Sequence, residues 1–156
     1  VGTGLDLPFF PADVEVTGVD TSPEMLQQAA KKNSQAEVKL FLMDAQRLAL
    51  PNQSFDAALL NLILSVASDG GKALRETWRV LRPGGRIVIF DKFLPEQQPV
   101  SIARSLLGAV IRQIGTDPNR RFSEMLAQVP GAQVVQNEPA LLNGQYRLIV
   151  LKKPKK

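Results

Sequence analysis

Asp20 ends an apolar run formed by Val14, Val16 and Val19 and directly precedes Thr21, Ser22, Pro23 and Glu24. The run reads as a buried strand. The polar residues after it read as a helix start, with Thr21 as N-cap, Pro23 in the first turn and Glu24 closing a capping box. A carboxylate therefore stands at the carboxyl end of a strand, the edge at which open α/β sheets bind ligands, where it can accept hydrogen bonds from both vicinal hydroxyls of a ribose. A nucleoside-containing cofactor suits that arrangement. Asp44 repeats the placement after a strand over 37–42, where a short acceptor suits an adenine amino group; Met43 packs on the ring face and Ala45 follows. Asn61 puts an amide at the exit of a strand over 55–61. Asp91, Lys92 and Phe93 leave a further strand at the same edge, where they either line an acceptor pocket or form an exposed loop. Gly2 and Gly4, lacking a Cβ, let the backbone approach a ligand closely. Each feature also has a plain structural explanation: an acid beside a helix N-terminus, a turn aspartate, a frayed chain end.

These groups must do any chemistry without histidine or cysteine, since the 156 residues contain neither. Disulfides and thiolate metal sites are excluded, the commonest general base and metal ligand is missing, and no metal is expected. Such a composition suits chemistry in which a cofactor carries the activated group and leaves the protein mainly the task of alignment. The net charge of +4 resembles a nucleic-acid signal until it is located. Lys152, Lys153, Lys155 and Lys156 supply it, and the rest of the chain is neutral. No nucleic-acid partner is therefore expected. The tail over 152–156 reads as a solvated basic end, or as a peripheral contact with anionic lipid worth about 1 kcal/mol per lysine near such a surface. No apolar run approaches the roughly 20 residues of a membrane span and no signal peptide is visible. The reading is a cytoplasmic protein able to meet the inner membrane surface.

The elements that position these residues follow from periodicity. Strands are predicted over 15–19, 37–42, 55–61, 86–90, 133–137 and 145–151, and helices over 23–32, 71–81, 100–114 and 119–128. Alternation of strand and helix implies a mostly parallel sheet covered on both faces. The short 139–144 connection cannot hold a helical crossover, so the last two strands are antiparallel. Leu74, Trp78 and Leu81 recur at helical spacing as core, and Pro83, Gly84 and Gly85 stop that helix in a tight turn. With 44% apolar residues the chain suits one domain.

The order of these motifs resembles the class I S-adenosylmethionine-dependent methyltransferases, within them the group related to quinone and phosphatidylethanolamine methyltransferases. Val1-Gly-Thr-Gly4 is similar to the end of that family's glycine-rich motif, Asp20 to its ribose-binding acid, Met43-Asp44-Ala45 to its adenine-side motif and Leu81-Arg-Pro-Gly-Gly-Arg86 to the turn before its fifth strand. The resemblance implies a Rossmann-like sheet ending in an antiparallel hairpin and S-adenosyl-L-methionine as cofactor. It implies cofactor contacts at Gly2, Gly4, Asp20, Thr21, Met43, Asp44, Ala45 and Asn61, and acceptor contacts at Asp91, Lys92 and Phe93. Arg120 and Arg121 suit a phosphate headgroup, because guanidinium pairs bidentately with phosphate oxygens. The stretches 4–11 and 115–121 look like the phospholipid N-methyltransferase branch, so the acceptor is a small molecule or lipid, a phospholipid amine being the sharpest choice.

The family has a helix and a first strand before its glycine loop, whereas this chain opens inside that motif. The expectation is a fragment, with a methyltransferase domain over 1–151 lacking its first strand, a central one placed between the strands near 14–19 and 55–61. Unpaired backbone groups buried at that gap cost about 1–3 kcal/mol each. Two rival readings stay open. An NAD-binding oxidoreductase would share Asp20 but need a third glycine, which Leu5-Asp-Leu-Pro8 does not supply. A binding-incompetent chain would associate through exposed sheet edges as a homodimer.

Overall fold

The computed structural model describes residues 1–93 and 121–155. The predicted helix over 100–114, the start of that over 119–128, and Arg120 lie outside the described residues. The chain divides into two compact units, Val1–Ala49 and Leu50–Lys156, where composition leads to the expectation of one domain.

In the first unit, β1 (Glu15–Asp20) and β2 (Glu37–Leu42) form a parallel pair in unbroken register from Glu15 opposite Glu37 to Asp20 opposite Leu42. Parallel neighbours require a crossover, which α1 (Pro23–Ala29) supplies. Its N-cap is Ser22 rather than Thr21: the Ser22 hydroxyl accepts the Met25 N–H at 3.2 Å and donates to Glu24 at 2.7 Å. The cap moves by one residue because the Asp20 carboxylate accepts the Ser22 N–H, which makes Thr21 the centre of an aspartate-closed turn. Before β1, a 3-10 turn (Leu7–Phe9) buries Leu7, and Ser34 beyond α1 donates to the Leu7 carbonyl at 2.9 Å.

The second unit holds β3 (Phe55–Asn61), α2 (Gly70–Val80), β4 (Leu81–Lys92), α3 (Phe122–Leu126), β5 (Gln133–Leu141) and β6 (Tyr146–Lys152). The sheet order is β3-β4-β6-β5, with β3 parallel to β4 and the other neighbours antiparallel, so the expected closing hairpin is present. Among the described residues the six strands form two sheets, β1-β2 and β3-β4-β6-β5, rather than one.

The second unit's core is built from α2 and the middle of its sheet. Asp69 caps α2 by accepting the Lys72 N–H, and the helix buries Ala73, Leu74, Thr77 and Val80. Leu60, Ile87, Ile89, Ile149 and Leu151 of the sheet are buried as well, and a fully buried aliphatic side chain contributes about 1.5–3 kcal/mol. Leu81 is buried as expected, but as the first residue of β4, while Trp78 is half-buried. The Pro83-Gly84-Gly85 turn lies within β4. Gly84 has φ +84°, and pairing jumps from Phe55 opposite Leu81 to Ala57 opposite Arg86. A Cβ on Gly85 would stand 2.7 Å from the Asp56 carbonyl, which explains the glycine there.

The basic end is part of this architecture. Lys152 belongs to β6, and the Lys153 ammonium donates to the carbonyls of Trp78 at 2.6 Å and Leu81 at 2.8 Å while lying over the Trp78 ring. A cation thus satisfies carbonyls at the carboxyl end of α2. Backbone bonds between Lys153 and Gly84–Gly85 extend the pairing, so Lys152 and Lys153 are held to the sheet while Pro154 and Lys155 are exposed.

Candidate functional site

Parallel pairing in the first unit puts the carboxyl ends of β1 and β2 at one edge. The Asp20 carbonyl accepts the Met43 N–H at 3.0 Å, which holds the two strand exits together. The Asp20 carboxylate accepts the Gly2 N–H at 2.8 Å on Oδ2 and the Ser22 N–H at 3.0 Å on Oδ1, and the Val1 amino group lies 3.5 Å from Oδ2. Burial pushes this carboxyl upward, yet the Ser22 and Gly2 N–H groups, with the amino group, outweigh it and hold the pKa below the ordinary 3.8. Oδ1 keeps a second lone pair beyond the Ser22 bond, while Oδ2 faces both the Gly2 N–H and the Val1 amino group.

The two glycines differ in what they do. Gly2, at φ +56°, has open space where a Cβ would be. Gly4, at φ +72°, is buried: a Cβ there would come within 2.9 Å of the Ala29 backbone, and its N–H donates to the Val1 carbonyl. Close packing on α1 accounts for Gly4. Asp44 is exposed and accepts the Gln46 N–H at 2.8 Å and the Gln46 side-chain amide, closing a turn that also joins Arg47 to its carbonyl. Met43 and Ala45 beside it are half-buried, and Thr21 is exposed. A hollow of about 390 Å³ between α1 and β2, lined by residues including Leu7, Ala30, Val38 and Leu40, includes none of the predicted site residues.

The second unit arranges its own set around the exits of β3 and β4. Asn61 ends β3 and is exposed. Leu62, next in the chain, has φ +54°, a conformation that costs a residue other than glycine roughly 1–3 kcal/mol. Asp91, Lys92 and Phe93 do not form the exposed loop that was one expectation. Asp91 is fully buried, Lys92 is exposed within β4, and Phe93 packs on Phe122 with ring centroids 5.3 Å apart. The signal for this was available: Ile87, Ile89, Asp91 and Phe93 alternate along one strand, and alternation assigns them to one face. Asp91 is satisfied there by N–H groups of Leu64 at 2.7 Å, Ser65 at 3.1 Å and Lys92 at 2.7 Å. Ser65 was not singled out in sequence, since a serine 26 residues away has no local link to Asp91. Arg121 is half-buried immediately before α3.

Paired acids at the exits of adjoining parallel strands, one bonded to a glycine turn, suit a nucleoside-containing cofactor. The comparisons with known proteins narrow that reading. Residues 1–89 match the family described as a methyltransferase domain. A phosphatidylethanolamine N-methyltransferase of Cereibacter sphaeroides is 30% identical over 153 residues, covering 96% of this chain and 75% of that protein. A ubiquinone/menaquinone biosynthesis C-methyltransferase UbiE of Caulobacter vibrioides is 33% identical over 104 residues, covering 66% of this chain but 41% of that protein. Among solved structures, the cyclase SpnF superposes with a TM-score of 0.77 at 18% identity over 99% of this chain and 72% of the other, and a SAM-dependent methyltransferase of Thermotoga maritima with 0.65 at 21% identity over 98% and 78%. The chain belongs to the methyltransferase-domain family, with the Rossmann-like class I fold and S-adenosylmethionine as the family's cofactor. The donor set fits that group: Asp20 keeps acceptor capacity toward ribose hydroxyls, and the space beside Gly2 is open.

Proposed function

We propose that this chain binds S-adenosylmethionine at the exits of β1 and β2 and serves methyl transfer to a small-molecule or lipid acceptor, an ethanolamine phospholipid amine being the most specific choice. The observation that carries the reading is Asp20, oriented through its bonds to Gly2 and Ser22 with a lone pair left on Oδ1 for a ligand. In this reading Asp20 takes the ribose hydroxyls, Asp44 the adenine amino group, and Gly2, Gly4, Thr21, Met43 and Ala45 border the cofactor. The resemblance assigns Asn61 to the cofactor's reacting end and Lys92 to the acceptor, and the guanidinium groups of Arg120 and Arg121 suit a headgroup phosphate. The bound cofactor supplies the activated methyl; the protein's contribution is alignment and exclusion of water. A chain without histidine suits an amine, which attacks through its own lone pair once deprotonated, better than a hydroxyl that needs a base. Among the described residues no helix is long and apolar enough to cross a membrane, so a lipid acceptor would be met at the membrane surface.

The test is calorimetric titration with S-adenosylhomocysteine, followed by methylation assays on phosphatidylethanolamine vesicles and on a quinol. Micromolar binding that weakens about 10- to 100-fold in Asp20→Asn is the expected result, from loss of charge-assisted hydrogen bonds worth roughly 1.5–3 kcal/mol. Binding of NAD instead, or a stable dimer that binds neither, would overturn it in favour of the corresponding rival.

A further inference from the structure

We infer that Asp91 is a positioning residue: from behind the sheet exit it clamps the strained turn over 62–65, and through it sets Asn61. This rests on the proposed placement of Asn61 at the reacting end. The carboxylate lies on the face of β4 that also buries Ile87, Ile89 and Phe93, where an unsatisfied charge would be costly. Two successive N–H groups, of Leu64 and Ser65, converge on its Oδ2, while Lys92 N–H takes Oδ1. The same turn is tied to β4 at its other end, where Leu62 N–H donates to the Phe90 carbonyl at 2.9 Å. Between these anchors Leu62 holds its positive φ. A sparsely populated backbone conformation persists only where its surroundings over-determine it, and adjacent residues of β4 provide the anchors here. Asp91 therefore does not reach the acceptor itself, and a carboxylate used for two distant backbone donors is a means of fixing a turn.

The substitution Asp91→Asn keeps the shape but exchanges one acceptor oxygen for a donor, so it can serve either the Leu64 and Ser65 pair or Lys92. Amide exchange at Leu64 and Ser65 is expected to accelerate at least about tenfold while Ile87 and Ile149 keep their protection. With S-adenosylmethionine and phosphatidylethanolamine vesicles, kcat is expected to fall about tenfold with the S-adenosylhomocysteine Kd within about twofold, the pattern of an interaction lost at the reacting end rather than in cofactor binding. Adding Leu62→Gly should regain part of the loss, since glycine holds a positive φ without a clamp. Unchanged exchange at both amides would overturn the clamp, and faster exchange with unaltered kcat and KM would overturn the positioning role. The unmodified chain supplies an arm that needs no variant: free exchange at Leu64 and Ser65 would also sink the proposal. An unmodified chain that fails to methylate the vesicles counts against the proposed acceptor, whereas the exchange readout still decides the clamp.

Discussion

The Asp20 carboxylate, through its bonds to Gly2 and Ser22, shapes the glycine turn and the start of α1, and the acceptor capacity left on Oδ1 is what the proposed ribose contact uses. Because its pKa is lowered in the folded chain, the carboxylate stabilises the fold fully above the unfolded value, near the ordinary 3.8, and that contribution is lost as the pH falls below it through the folded value. Acid titration of the first unit, followed through the Gly2 and Ser22 amides, is expected to show protection constant above about pH 5 and declining below about pH 4. Asp20→Asn should flatten that decline; an unaltered acid limb in the variant would show that another group is responsible.

At the scale of elements, α2 illustrates how a helix is finished by distant residues. Asp69 closes its start locally, whereas its end is closed by Lys153, from beyond the final strand. Arg79 adds a second tie: its Nη1 donates to the Leu50 carbonyl and the Asn52 side chain while Nε and Nη2 pair with Glu76. Lys153→Met keeps much of the apolar stem but removes the donors, and is expected to destabilise the second unit by about 1–2 kcal/mol. Denaturant unfolding should show this as a lower midpoint with an unchanged slope. A midpoint that does not move would mean that solvent satisfies those carbonyls equally well.

Across the whole molecule, the two units differ in how much structure each builds. The first rests on a two-stranded sheet and one short helix, the second on four strands and a core containing Leu74, Ile87, Ile89, Ile149 and Leu151. Short two-stranded sheets are marginal by themselves, and amides there open locally at lower free energy than those of a central strand. Native-state hydrogen exchange should therefore find Ile87 and Ile89, on a strand bonded along both edges, protected at least about a hundredfold longer than Val16 and Val38. Equal protection would show that the two units open as one.

The order of the described strands and helices, the two strand-end acids and the antiparallel close of the sheet are legible in the residues alone, because hydrophobic period, turn residues and connection length are local quantities. Local pattern places the cap at Thr21, one residue early, because the competing acceptor for the Ser22 N–H, the Asp20 side chain, belongs to the preceding strand. That Asp91 turns inward to N–H groups 26 and 27 residues away, that Lys153 closes a helix 75 residues before it, and that the described strands form two sheets depends on the assembled fold. The physical reason is common to these cases: a pattern of residue types reveals which groups need partners, but the partner of a buried charge or an open carbonyl is chosen by which distant segment the fold brings within about 3 Å.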